Sequence, residues 1–318
     1  MYHARYGKEP AMPSILLIKT SSMGDVIHNL PVASDIARHV PGAEIDWVVE
    51  ENFADIPAMH PGIRRVFPVA IRRWRKSIFS SGTREEFSRF RKSLEGEKYD
   101  FVIDTQGLFK SAILTRLAQG VRCGFDRKSA REPIASLFYD ECRFVAKNLH
   151  AVERNRMLAA ASLGYEMEGE PDYGIRTEAE HGNYAVLLHA TSRAEKLWEE
   201  SNWVELGNKL GMQVYLPWGS LEEKSRSERL ASKIPGSIVP PKLSLRDAAR
   251  LISGAQVVFG VDTGLSHLAA ALKTPVIGIY CSTDPGLTGI LTQGKGINLG
   301  GKDGPPSVVE ALCAWSGL

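Results

Sequence analysis

Each half of this chain opens on a compact apolar run and then alternates short strand-like runs with amphipathic segments, a pattern that few folds accommodate. Strands separated by helix-length segments pair in parallel, with the helices covering the faces of the sheet. In the first half, strands are expected at Ser14 to Lys19, Glu44 to Val49, Arg65 to Val69 and Asp100 to Asp104. Helices are expected at Asp25 to Arg38, Arg84 to Leu94 and Leu108 to Leu117; in the first of these Val26, Leu30, Ala33 and Ala37 fall three or four apart on one face. Pro31 interrupts that pattern, which implies an early kink or a place in a helix's first turn.

The second half repeats the plan, with strands expected at Tyr184 to His189, Gln213 to Leu216, Ser237 to Val239, Gln256 to Gly260 and Pro275 to Tyr280. Helices fit at Trp203 to Leu210, Glu222 to Lys233, Leu245 to Ile252 and Gly264 to Leu272. The polar stretch Met167 to Asn183 separates the halves and makes a linker, so two doubly wound α/β domains are expected, residues 1–175 and 176–318. A length of 318 residues, about twice that of a typical domain, agrees. No fixed short repeat argues for a solenoid.

Composition excludes several classes. With 43% hydrophobic and 24% charged residues the chain is neither disordered nor a disulfide-stapled miniature. Cys123, Cys142, Cys281 and Cys313 form no C-x-x-C pair, which leaves no zinc knuckle or redox motif and fits reduced thiols in a cytosolic protein. A net charge of +2 is too balanced for a polycation, so no nucleic-acid partner is expected. The first residues, with His3, Arg5, Lys8 and Glu9 ahead of a short apolar run, do not read as a secretory signal, and no run of ~18 apolar residues reads as a membrane span. A cytoplasmic protein, at most peripheral to a membrane, is expected.

Ligands of doubly wound sheets bind outside the carboxyl ends of strands, here in a cleft between two such domains. Three post-strand loops carry chemistry. The first, Thr20 to Asp25, combines small hydroxyl residues and Gly24 with a carboxylate. Asp25 fits either an acidic first-turn residue complementing the helix dipole or a general base, and at a helix start it should be ionised. The second, Val261 to His267, offers Thr263 and Gly264 at a helix start as a phosphate cradle, with Asp262 and His267 beside it. The third, His189 to Trp198, supplies Thr191, Ser192 and Lys196, a set suited to a diphosphate or to a solvated loop.

Between Arg64 and Lys92 stand ten basic residues against Glu85 and Glu86, interleaved with Trp74, Ile78 and Phe79. Such a segment suits an anionic amphiphile or an anionic membrane surface, or else a solvated face. G-x-G-x-x-G after a strand, G-x-x-x-x-G-K-[ST], H-E-x-x-H and G-x-S-x-G are missing, which argues against dehydrogenase, P-loop, zinc-protease and α/β-hydrolase chemistry. No D-x-D pair is present to chelate a metal on a diphosphate.

Six ordered motifs, Lys19 to His28 (KTSSMGDVIH), Ala70 to Lys76 (AIRRWRK), Ala130 to Pro133 (AREP), His150 to Arg154 (HAVER), Leu216 to Gly219 (LPWG) and Val261 to His267 (VDTGLSH), resemble those of the lipopolysaccharide heptosyltransferase I family. The resemblance runs from about Ser14 to Leu287 and fades after Gly289. It implies an inverting glycosyltransferase of the GT-B fold, two Rossmann-like domains facing across a cleft. It further implies transfer of heptose from ADP-L-glycero-D-manno-heptose to the Kdo sugar of Kdo-lipid A, without metal or cofactor, by a monomer at the cytoplasmic face of the inner membrane.

Carried onto this sequence, Asp25 is the catalytic base and Lys196 meets the leaving diphosphate. Thr191, Ser192, Lys196, Glu223, Leu243, Asp262, Thr263, Gly264 and His267 form the donor site; Ser22, Gly24, Arg72, Arg73, Lys76 and Arg131 form the acceptor site. Ser192 stands where the family has a second Thr, and Leu243 where a Met lies beside the nucleotide base. A non-catalytic binding protein or a sister transferase adding a later heptose are the rivals; the first has no use for a carboxylate such as Asp25.

Overall fold

Six parallel strands form the first sheet of the computed structural model, which describes residues 12–77 and 79–318. The residues His3, Arg5, Lys8 and Glu9, and Ile78 of the basic segment, lie outside the described residues. The strands are β1 (Ser14–Ile18), β2 (Glu44–Glu50), β3 (Ile63–Val69), β4 (Lys98–Asp104), β5 (Gln119–Phe125) and β6 (Glu141–Arg143), in the order β3-β2-β1-β4-β5-β6. Ile15 to Ile18 are wholly buried, as a central parallel strand covered on both faces demands. Around the sheet lie α1 (Met23–Ile27), α2 (Leu30–His39), α3 (Asp55–Ala58), α4 (Ile71–Trp74), α5 (Ser81–Glu95), α6 (Phe109–Thr115) and α7 (Ala151–Leu163).

The single helix expected over Asp25 to Arg38 is two, and Pro31 sits in the first turn of α2, where its missing N–H costs nothing. Strands β5 and β6 and helix α7 lay outside the sequence expectations. Strand β5 alternates glycine and polar residues with few apolar ones, and Gly124 is required: a Cβ there would come within 2.2 Å of the Tyr139 ring. Helix α7 buries Asn155 and Arg156 among its apolar residues, which blurs its periodicity. Arg156 Nε donates to Asp35 Oδ2 of α2 at 2.7 Å, a buried pair joining the two helices.

In the second sheet, β7 (Tyr184–Leu188), β8 (Gln213–Tyr215), β9 (Val257–Val261), β10 (Val276–Tyr280) and β11 (Gly296–Gly300) pair in parallel in the order β11-β10-β9-β7-β8. The strand expected at Ser237 to Val239 shrinks to one parallel bridge, Ile238 beside Tyr215, because Pro240 and Pro241 follow and offer no N–H. With that bridge counted, both sheets wind in the same order, third-second-first-fourth-fifth-sixth. The helices are α8 (Glu200–Lys209), α9 (Leu221–Ala231), α10 (Leu245–Ser253), α11 (Gly264–Ala271), α12 (Pro285–Thr288) and α13 (Val308–Ser316). The tail is ordered: β11 pairs with β10, and Val308 and Ala311 of α13 join a core with Trp203 and Phe259. Two compact units divide the chain between Gly174 and Ile175.

Candidate active site

In the first unit, chemistry gathers where the winding reverses, at the carboxyl ends of β1 and β4. Gln106, after β4, ties the two loops: its Oε1 accepts from Thr20 N (2.7 Å) and Oγ1 (2.8 Å), and its Nε2 donates to Ser21 O (2.8 Å). Ser22 is the N-cap of α1, Gly24 its second residue and Asp25 its third. Asp25 Oδ2 accepts from Ser22 N (3.0 Å) and Oγ (3.1 Å), so the capping role is realised. The same carboxylate also receives Arg131, whose Nη2 donates to Oδ1 at 2.5 Å.

Beneath it lies Lys19, 2% exposed, whose Nζ donates to Thr105 O (2.8 Å) and Asn155 Oδ1 (3.1 Å). Burial pushes the Asp25 carboxyl upward, but the Lys19 and Arg131 charges and the bonds from Arg131 and Ser22 outweigh it and hold it well below the usual carboxylate range. Burial brings Lys19 itself down to about 7, against the pull of Asp25. Asp25 is thus ionised and only 16% exposed, the state a general base needs.

The basic segment is less bare than its sequence. Arg64 and Arg65 pair with Asp46, at 2.7 and 2.8 Å, and Arg73 is bound by Glu51 (3.0 Å) and Glu86 (2.9 Å). Counting charges along the segment missed Glu51 and Asp46, which reach it from β2 and the turn after it. Among the described residues Arg72, Arg75 and Lys76 form no ion pair, and Arg72 lies over the Phe53 ring at 5.5 Å. Lys110 stands near them: burial, then Arg72, lowers its pKa, and its Nζ donates to Ser21 Oγ at 2.9 Å.

In the second unit, the loops after β7, β9 and β10 come together. Lys196 Nζ donates to Asp262 Oδ2 at 2.5 Å, Thr283 Oγ1 to the same oxygen at 2.8 Å, and Thr191 Oγ1 to Asp262 O at 3.0 Å. His267, buried on α11, has Nε2 3.9 Å from Asp262 Oδ1. Burial raises the Asp262 carboxyl, but His267, Lys196 and Thr283 together hold it well below the usual range. Asp262 is therefore the anchor of the cluster, and an ammonium with three donors keeps two for a ligand. Thr263 caps α11 without a side-chain bond, and Thr263 and Gly264 are half-buried at its positive end.

The remaining positions are looser. Ser192 is exposed, and Leu243 is half-buried in the loop before α10. Glu223 caps its own helix, its Oε2 accepting from Gly219 N at 2.6 Å. Every one of these loops follows a strand of the second sheet or the Ile238 bridge, hence lies at one edge.

The signature of glycosyltransferase family 9 (heptosyltransferase) matches residues 87–312. The chain belongs to this family. Lipopolysaccharide heptosyltransferase 1 of Escherichia coli (strain K12) is 51% identical to this glycosyltransferase over 286 residues, 86% of this chain and 90% of that protein. Among solved structures, E. coli heptosyltransferase WaaC with ADP aligns at a TM-score of 0.88 and 46% identity, over 96% of this chain and 99% of that one. WaaC with ADP-2-deoxy-2-fluoro heptose gives 0.84 and 45%, over 94% and 98%. The two parallel sheets are those of the GT-B glycosyltransferases.

Residues that the structure adds to these two clusters, and that the sequence did not single out, are Lys19, Gln106, Lys110, Asn155 and Thr283. Lys19 had a signal: a lysine closing an otherwise apolar central strand is buried beside whatever the next loop holds. Gln106 and Thr283 also follow strands, and only the fold brings them to the cluster.

Proposed function

We propose that this glycosyltransferase transfers heptose from ADP-L-glycero-D-manno-heptose to the Kdo sugar of Kdo-lipid A, with inversion in a single displacement. The observation that carries the reading is the half-buried, ionised Asp25 between Lys19 and Arg131 at the reversal point of the first sheet. The acceptor hydroxyl attacks the anomeric carbon opposite ADP while Asp25 takes its proton; the bond from carbon to diphosphate oxygen breaks, and ADP leaves with the electron pair. Lys196 and the α11 amides near Gly264 meet the charge growing on that diphosphate, so the donor belongs to the second unit, lined by Thr191, Ser192, Glu223, Leu243, Asp262, Thr263 and His267. No metal is needed for this neutralisation.

Arg131 has a second task. Kdo carries a carboxylate, which a guanidinium binds with two parallel hydrogen bonds, so an arriving acceptor draws Arg131 away from Asp25 and frees the base. Arg72 and Lys76, without an ion pair among the described residues, receive further acceptor anions. No described helix is long and apolar enough to cross a membrane, and the enzyme works as a monomer peripheral to the cytoplasmic face of the inner membrane. Incubation with ADP-heptose and Kdo-lipid A, read by mass spectrometry, tests the reading: one added heptose is expected, and an unmodified acceptor would remove it.

A further inference from the structure

The chain leaves β4 through Asp104, Thr105, Gln106 and Gly107, a turn that is wholly buried although three of its four residues are polar. Such polarity is costly to bury, and packing alone does not call for it. The Asp104 carboxylate shapes the turn: Oδ1 accepts from Gln106 N (2.8 Å) and Gly107 N (3.3 Å), and Oδ2 from Ser111 Oγ and Tyr139 Oη, both at 2.7 Å.

This one turn touches all three charges of the first cluster. Thr105 O accepts Lys19 Nζ at 2.8 Å. Gly107 O accepts from Glu132 N at 3.0 Å, one residue after Arg131. Gly107, with φ +65°, also lies against that loop: a Cβ there would meet Arg131 N at 3.4 Å and the Phe125 ring at 3.1 Å, so close approach and left-handed backbone both favour glycine. Gln106, 1% exposed, engages both ends of its amide on Thr20 and Ser21, the segment that leads into α1.

The last link to Asp25 is a single peptide unit. Ser21 O accepts from Gln106 Nε2 at 2.8 Å, and the N–H of that same unit, on Ser22, donates to Asp25 Oδ2 at 3.0 Å. A donor on the carbonyl polarises the peptide and strengthens the bond that its N–H gives, so Gln106 acts on the carboxylate through one amide group.

We propose that Gln106 is a positioning residue of the transfer reaction, setting where the Asp25 carboxylate stands relative to Arg131 and to the acceptor hydroxyl. The inference rests on the base assigned above. A misplacement of about 1 Å near a reacting group costs on the order of 10²-fold in rate, so hydrogen bonds that touch no reacting atom can govern kcat.

The test compares kcat in the unaltered enzyme, Gln106→Met, Asp25→Asn and the double variant. Met keeps the length of the side chain and removes all three bonds. Gln106→Met is expected to lower kcat by about tenfold or more, with ADP affinity unchanged because the donor loops lie in the second unit. In the Asp25→Asn background the same change should cost less than about twofold, since no base is left to place. An equal loss in both backgrounds would make Gln106 a structural residue only and overturn the proposal, as would an unchanged kcat in Gln106→Met. Thr20→Val removes one of the three bonds, keeps the shape and covers the case of a Gln106→Met that does not fold. Its kcat should fall by about threefold where Asp25 is present and not in Asp25→Asn, and an equal loss in both again overturns the proposal. Near-normal turnover in Asp25→Asn alone would instead defeat the base assignment, and this inference with it.

Discussion

Asp25 and Lys19 act on each other's protonation: Lys19 helps hold the carboxyl down, and Asp25 opposes the burial that lowers Lys19. Asp25, the proposed base, is third in its helix and also caps it, so replacing it tests two roles at once. Asp25→Asn keeps an acceptor oxygen for Ser22 and should fold normally, bind ADP as before and lose turnover by about 10²–10⁴-fold. Near-normal turnover in that variant would end the assignment of the base. Lys19→Met removes the largest of the effects that hold Asp25 down, so the carboxyl should rise toward its ordinary range. The acid limb of the kcat/KM profile should then move to higher pH, while ADP affinity stays. An unmoved acid limb would reduce Lys19 to a buried structural residue.

Elements decide which charges are available. Strand β2 and the turn after it bring Asp46 and Glu51 under the basic segment, so Arg73 is spoken for while Arg72, among the described residues, is not. Arg72→Ala should raise acceptor KM without changing donor KM, and an equal rise in both would point to a disturbed fold. On the second sheet, the start of α11 and the Lys196 loop converge on Asp262. Lys196→Ala should lower kcat more than it weakens donor binding, since the diphosphate charge grows in the transition state, and excess EDTA should leave the rate unchanged. A collapse restored by Mg²⁺ would defeat that account. The sequence already carried the parallel strands and their following loops, since apolar runs and post-strand Gly, Thr and Asp are local signals. Strand β5, helix α7 and the tail were not legible, because Gly124 and Arg156 owe their places to Tyr139 and Asp35, distant in sequence. Arg131 was named, but its bond to Asp25, across 106 positions, was not readable from either neighbourhood.

At the scale of the molecule, each unit contains a buried histidine whose pKa burial lowers, His60 in the first and His189 in the second. Gly62 N donates to His60 Nδ1 at 3.0 Å, leaving Nε2–H for Ser34 Oγ at 2.9 Å, and His189 Nε2 meets Ser227 Oγ at 2.8 Å. Burial lowers both to about 4, with Arg226 adding to the effect at His189. Between pH 6.5 and about 4 the unfolded chain therefore binds more protons than the folded one, and stability falls as pH falls through that window. Each histidine contributes a loss of about 3 kcal/mol by the acid end, against a typical total of about 5–15. Urea midpoints should drop from pH 7 to pH 5, and less so in His60→Gln with His189→Gln; a pH-independent midpoint would refute this. The Arg131 clasp on Asp25 bears on economy rather than stability. An activated sugar donor is surrounded by water, a competing nucleophile far more abundant than any glycolipid. Under the proposed roles, a resting enzyme whose carboxylate is occupied by a guanidinium offers water no base, and hydrolysis of the donor should stay slow until an anionic acceptor opens the clasp.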